Sequence, residues 1–341
     1  MNKKELLNLL NSKEETGDES ENRRVLILDG LNLFFRNFAM LNMVNPDGVH
    51  IGGLGGFFRS LGAMIKQTNP TEVYVVFDGV NSTINRKNLI PEYKSGRNLQ
   101  RITRFEAFEN LEQEDDSKID QLVRIIQYLK TLPVTTLSLD KSEADDIIAY
   151  LSMSLPKNKN DQIFIVSSDK DFLQLVSDNV IVYRPIEKKY YTKKVFKDKF
   201  NIPPENFIIY KTLLGDSSDK IKGVKGLGEK GLLKKFPELK DEILTFDDIL
   251  KICENKYKDH LVYARIIQGV NDLEKNYKVM DLSNPMIGDN DKEYLDKLVL
   301  SKELNYLPKQ FIELYEQDKL GGMIRNLEYW LDENFKNLQT K

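Results

Sequence analysis

Carboxylates recur in this chain at positions where they repel one another. Asp29 follows Val25-Leu26-Ile27-Leu28, and Asp78 follows Val73-Tyr74-Val75-Val76-Phe77. Asp169 and Asp171 follow Ile163-Phe164-Ile165-Val166 and Ser167-Ser168. Glu143-Ala144-Asp145-Asp146 lies between, and Asp216 and Asp219 come later. Each acid alone has an ordinary explanation. Aspartate after a strand starts turns and caps helices. Ser142-Glu143-Ala144-Asp145 fits a capping box, and acids in a first turn favour the helix dipole. Grouped at one edge, however, such anions need cations to neutralise them. Oxygen ligands suit Mg²⁺ or Mn²⁺, whereas zinc wants His or Cys. The single cysteine, Cys253, and the two histidines, His50 and His260, argue against zinc hydrolases and Ser-His-Asp chemistry. The acids exceed the needs of one ion. Two ions ~4 Å apart can activate a water and stabilise both the attacking and leaving oxygens of a phosphodiester. A two-metal phosphodiesterase is the economical reading.

Something must carry these acids to one place. The runs before Asp29, Asp78 and Asp169 read as buried parallel strands, and open parallel sheets bind ligands at the carboxyl ends of their strands. Strands are predicted at Arg24–Leu28, Glu72–Phe77, Pro133–Leu137, Ile163–Val166 and Val180–Tyr183. Apolar residues at helical spacing mark helices through Phe57–Ile65 and Ile119–Leu129. A third runs from Ala144 to Leu155, capped by Ser142, and a short one spans Phe172–Val176. This alternation predicts an α/β domain over 23–204 with a central, mostly parallel sheet. Residues 81–117, basic and then acidic, lack apolar periodicity and read as a functional loop or helical lid. After Pro203-Pro204 the pattern turns helical, which predicts a second domain over 205–341. Residues 1–22 read as a polar tail. A chain of 341 residues with 40% apolar content can bury one large core or two modest ones. The net charge of −3 does not announce a nucleic-acid binder. Lysine and arginine nevertheless concentrate at 86–104 and 220–235. No apolar run approaches the ~18 residues of a membrane span. The N-terminus lacks a secretory pattern. A cytoplasmic protein without a membrane partner is expected.

Six blocks carry a family resemblance. They are Leu28-Asp29-Gly30, Val76-Phe77-Asp78-Gly79, Pro91-Glu92-Tyr93-Lys94, Glu143-Ala144-Asp145-Asp146, Ser168-Asp169-Lys170-Asp171-Phe172 and Gly215-Asp216-Ser217-Ser218-Asp219. In order and spacing they resemble the 5′-nuclease (flap endonuclease) superfamily, most of all the bacteriophage 5′→3′ exonucleases called phage ribonuclease H. The resemblance covers about residues 24–235. It implies a PIN-like catalytic domain followed by a helix-hairpin DNA-binding domain. By it, Asp29, Asp78, Glu143 and Asp145 hold a first Mg²⁺, which generates the attacking hydroxide. Asp169, Asp171 and Asp216 hold a second, with Asp146 and Asp219 close by. Mn²⁺ can stand in for either ion. Ser168 occupies a position where many relatives have glycine, which changes backbone freedom more than chemistry. Residues beyond about 236 carry no motif of the family.

The basic stretches suit a nucleic-acid substrate. Arg86, Lys87, Lys94, Arg97, Arg101 and Arg104 follow Asp78. The resemblance makes this segment an arch or clamp in which Lys94 and Arg97 grip the scissile phosphate and stabilise its developing charge. Arg86 adds a nucleic-acid contact, and Tyr93 could stack on a terminal base. Gly226, Gly228 and Gly231 spell GxGxxG, but no strand precedes them, so a dinucleotide site is rejected. A helix–turn–helix hairpin over about 205–236 explains the glycines better. Backbone N–H groups at Gly223, Gly226 and Gly228, with Lys222, Lys225 and Lys230, would hold a duplex phosphate backbone. In relatives such a turn can bind K⁺ through carbonyls. The expected function is a metal-dependent 5′-nuclease removing RNA primers or 5′ flaps from DNA duplexes, with a single-strand-binding protein or replication clamp as a plausible partner. Three other readings fit the residues less well. A PIN-type ribonuclease normally lacks the hairpin, and a non-catalytic DNA binder would have lost acids. An aspartyl phosphatase wants an acid at position 31, which is leucine.

Overall fold

The computed structural model describes residues 22–95, 102–300 and 304–338. Six strands form one sheet: β1 (Arg24–Asp29), β2 (Glu72–Val76), β3 (Thr135–Leu137), β4 (Gln162–Val166), β5 (Val180–Arg184) and β6 (Lys189–Tyr191). Their order is β3-β2-β1-β4-β5-β6. The first five are parallel, and β6 returns antiparallel to β5. β1 is central because Val25 to Leu28 are fully buried on both faces, as a continuous apolar run requires. Val25 and Ile27 face helix Ala144–Ser154 and the helical segment beyond 204. Leu26 and Leu28 face helices Gly30–Met40, Gly52–Thr68 and Leu111–Leu129. The crossovers reverse direction between β1 and β4, which is where an open sheet leaves a crevice at its carboxyl edge.

Two departures from the sequence reading concern the ends of the chain's elements. Helix Leu111–Leu129 starts within the segment expected to be loop, with Asn110 accepting from the Gln113 N–H as its cap. Its buried face includes Glu114 and Gln121, while Ile119 and Val123 are exposed, so no apolar period marks its start. The second departure is larger. Residues 308–338 do not belong with the helical domain; they pack on the sheet's other face. Phe311 meets Phe58 edge-on at 5.3 Å and Tyr128 at 4.8 Å. Met323 and Trp330 lie against Gly55 and Gly62 of helix Gly52–Thr68, where any Cβ would collide with them. Arg124 pairs with Asp318 at 2.9 Å. The predicted tail, 1–22, falls almost wholly outside the described residues.

Candidate active site

Asp29 ends β1 and caps helix Gly30–Met40. Its Oδ1 accepts from the Asn32 N–H at 3.0 Å and its Oδ2 from the Ser167 hydroxyl at 3.0 Å. Burial, with Asp169 and Asp78 nearby, lifts its carboxyl to about 7. Asp78 follows β2 and accepts from the Ala144 N–H at 2.7 Å, so it caps the next acidic helix. That cap aims Glu143 and Asp145 at the same edge. Burial pushes the Asp145 carboxyl well up, and Asp169, Asp29 and Glu143 add to the shift. Glu143 is buried and triply held. Lys94 Nζ donates to it at 2.7 Å, Tyr93 OH donates at 3.0 Å, and Arg86 pairs with it at 3.0 Å.

The second group of acids surrounds a lysine. Asp171 accepts from Lys211 Nζ, and Asp216 accepts from the same ammonium at 2.9 Å. Burial and Asp169 raise Asp171 to about 7 despite that lysine. Burial would raise Asp216 too, but Lys211 and the Ser218 hydroxyl hold it at about 2. Asp169 joins the two groups: its Oδ1 accepts from the Asp171 N–H at 2.8 Å, and its own N–H donates to Ser167 Oγ at 3.1 Å. Asp219 approaches from the hairpin side, its carbonyl accepting from the Lys94 N–H at 3.1 Å.

Three expected contacts change role. Arg86 is 3% exposed and forks onto Asp146 at 2.5 and 2.9 Å, while its Nε donates to the Val279 carbonyl at 2.9 Å. A guanidinium so engaged has nothing to offer a nucleic-acid phosphate. Asp146 is spent by the same pair and by the Met286 N–H at 2.9 Å, so it is an internal anchor, not a cation ligand. Tyr93 is 3% exposed with its hydroxyl on Glu143, so its ring cannot stack on a base. In each case the clustered acids recruit the nearest cation or hydroxyl first. Arg97 and Arg101 lie outside the described residues. Arg104 Nε donates to the Phe38 carbonyl at 3.1 Å.

Helix Phe207–Leu214 leads into Gly215-Asp216, which pairs antiparallel with Ile221-Lys222. Gly223 sits tight against the Leu214 carbonyl. Gly226 has φ +81°, and Gly228 precedes helix Glu229–Lys235. Lys222, Lys225 and Lys230 are all exposed. Arg265 Nη1 takes the Lys225 carbonyl at 2.8 Å, so a monovalent cation in this turn would compete with a guanidinium.

Among the described residues, no three acids converge on one point as a ready-made cation cradle. Two lysine ammoniums sit among them instead. The donors still fit a hard divalent cation: they are carboxylate oxygens at one edge, several with their protons held abnormally tightly for want of positive charge. Asp29, Asp78, Glu143 and Asp145 would form one set, and Asp169, Asp171 and Asp216 the other. Lys211 was missed from the sequence, although it is the one charged residue in the otherwise apolar Phe207–Leu214. A lysine placed so is rarely buried without a partner.

A family model described as the 5′-3′ exonuclease, N-terminal resolvase-like domain, matches residues 24–201. A 5′-3′ exonuclease of Aquifex aeolicus is 31% identical over 296 residues, covering 86% of this chain and 92% of that protein. DNA polymerase I of Bacillus subtilis is 31% identical over 260 residues, covering 72% of this chain. This chain spans only 28% of that polymerase. The T5 D15 protein co-crystallised with metal ions superposes with a TM-score of 0.63 at 22% identity, over 87% of this chain and 100% of that one.

Proposed function

Because this chain belongs to the 5′-3′ exonuclease family, we propose that it is a divalent-cation-dependent 5′-nuclease. It hydrolyses phosphodiesters at 5′ ends or flaps of DNA and of RNA-primed DNA during replication. The single observation that carries this reading is the meeting of two carboxylate groups around Asp169 at the carboxyl edge of β1, β2 and β4. Mg²⁺ is the expected ion, with Mn²⁺ as substitute; bound there, the ions supply charge neutralisation and water activation. Lys94 lies within reach of the same edge. Its ammonium is held on Glu143 by a turn in which Lys94 itself has φ +53°. With a substrate phosphate in place, that ammonium is available to the charge that develops there. Lys222, Lys225 and Lys230 hold duplex DNA through its phosphates. Arg97 is assigned to the same clamp as Lys94. A replication clamp or single-strand-binding protein as partner, and a cytoplasmic location, complete the proposal. No helix among the described residues is long and apolar enough to cross a membrane.

The test is a Mg²⁺-dependent assay on 5′-labelled flap, nicked and RNA–DNA substrates, with Asp169→Asn/Asp171→Asn alongside. The wild type should cut near the 5′ end, and the double variant should bind DNA without cutting. Undiminished cutting by the variant in Mg²⁺ would refute the assignment. A non-catalytic binder would bind all three substrates and cut none.

A further inference from the structure

The segment Ser167-Ser168-Asp169 spans both carboxylate groups, and what holds it in place is not an acid. Ser167 reaches Asp29, and Asp169 reaches Asp171. Between them, both polar ends of the Ser168 residue are gripped from opposite sides. Its N–H donates to Asn32 Oδ1 at 2.9 Å, and its carbonyl accepts from Arg184 Nη2 at 2.7 Å. The sheet register explains the second contact. Val166 pairs with Tyr183, and the Ser167 N–H donates to the Tyr183 carbonyl at 3.2 Å, so the next residue of β5 lies beside Ser168. Arg184 is 5% exposed, and its other fork nitrogen pairs with Glu187. Its Nε and the Ser168 hydroxyl are buried with no hydrogen-bond partner among the described residues. A buried guanidinium with a donor unspent is a poor source of stability. Its geometry instead matches that of groups that orient ligands from behind.

We infer that Arg184 is a positioning residue, which with Asn32 fixes the Ser168 peptide and so sets Asp169 for the second carboxylate group. This rests on the two-cation reading of the site. A serine at 168, in place of the more flexible glycine, restricts the same peptide further.

The full chain, free of DNA, is titrated with Mn²⁺ alone, and unbound ion is followed by electron paramagnetic resonance. Wild type should bind two ions. Arg184→Met should weaken one of them roughly tenfold or more and leave the other unchanged. Arg184→Lys, which can still donate to the Ser168 carbonyl, should recover part of the loss. Asn32→Ala keeps the guanidinium and removes the opposite anchor; it should weaken the same ion, and it decides the question if Arg184→Met does not fold. Isotherms for Arg184→Met and Asn32→Ala that overlay the wild type would overturn the positioning role while leaving the two-cation reading intact. A wild type that binds no Mn²⁺ would overturn that reading and this inference with it.

Discussion

Arg86 was expected on DNA and is found inside the protein, which makes its replacement a sharp test. Arg86→Met keeps most of the stem's volume but removes the fork on Asp146, the pair with Glu143 and the donor to the Val279 carbonyl. Asp146 is 1% exposed, so its charge would be left buried beside Glu143, itself 1% exposed. Breaking a buried pair by deleting one partner typically costs about 3–5 kcal/mol. Asp146→Leu should cost a similar amount, since it strands the guanidinium and the Met286 N–H. The double variant Arg86→Met/Asp146→Leu removes both charges together. It should fall at least ~2 kcal/mol short of the sum of the singles, because the pair is counted twice in that sum. Equilibrium urea unfolding measures all three, followed by the fluorescence of the sole tryptophan, Trp330. Duplex affinity is measured in parallel on folded protein. A variant Arg86→Met that unfolds at the wild-type midpoint yet binds DNA weakly would refute the internal role and return Arg86 to the phosphate backbone.

Lys94→Ala should slow the chemical step in single-turnover experiments by about a hundred- to a thousandfold, the range for loss of one charge-stabilising donor; a pure loss of duplex affinity would count against it. Lys225→Ala with Lys230→Ala should weaken duplex binding and reduce the slope of log affinity against log salt by up to about 2, and an unaltered slope would remove the hairpin from the interface. The raised carboxyls give a pH signature. Asp29 and Asp171 titrate at about 7 in the fold against an ordinary 3.8. Between those values the fold keeps protons that the unfolded chain has released, so in a chelator their contribution to stability falls as pH rises through that window. A divalent cation favours the ionised form, so the rise in melting temperature on adding Mg²⁺ should grow from about pH 5 to pH 8; a pH-independent rise would show that these groups do not meet the ion.

The carboxylate edge was legible because its physics is local. A strand buried on both faces must be a continuous apolar run, and the residues at or just past its end lie at the carboxyl edge, so Asp29, Asp78 and Asp169 could be placed from sequence. Partners chosen across the fold could not. Arg86 and Asp146 are far apart in sequence, and nothing in the local pattern of either separates an internal pair from two solvent-facing charges. The packing of Phe311 and Trp330 on helix Gly52–Thr68 depends on Gly55 and Gly62 leaving room. That complementarity is visible only once both surfaces exist. Asp29 also caps helix Gly30–Met40, a structural duty it combines with its place at the carboxylate edge.

Among the described residues, three cations pair with these acids, and they differ in how rigidly they are held. Arg86 is held by a planar fork on Asp146, a second acid and a backbone carbonyl, all buried. A fork matched to a carboxylate is rigid and is not easily replaced by an ion. Lys94 and Lys211 are compact charges on flexible stems, each touching acids through a single ammonium. Lys94 also keeps 15% of its side chain in solvent. Arg86 and Asp146 therefore serve as fixed scaffolding for Glu143. Lys94 and Lys211 are counter-charges to Glu143, Asp171 and Asp216. A buried fork and two ammoniums thus share the neutralisation that so many gathered carboxylates require.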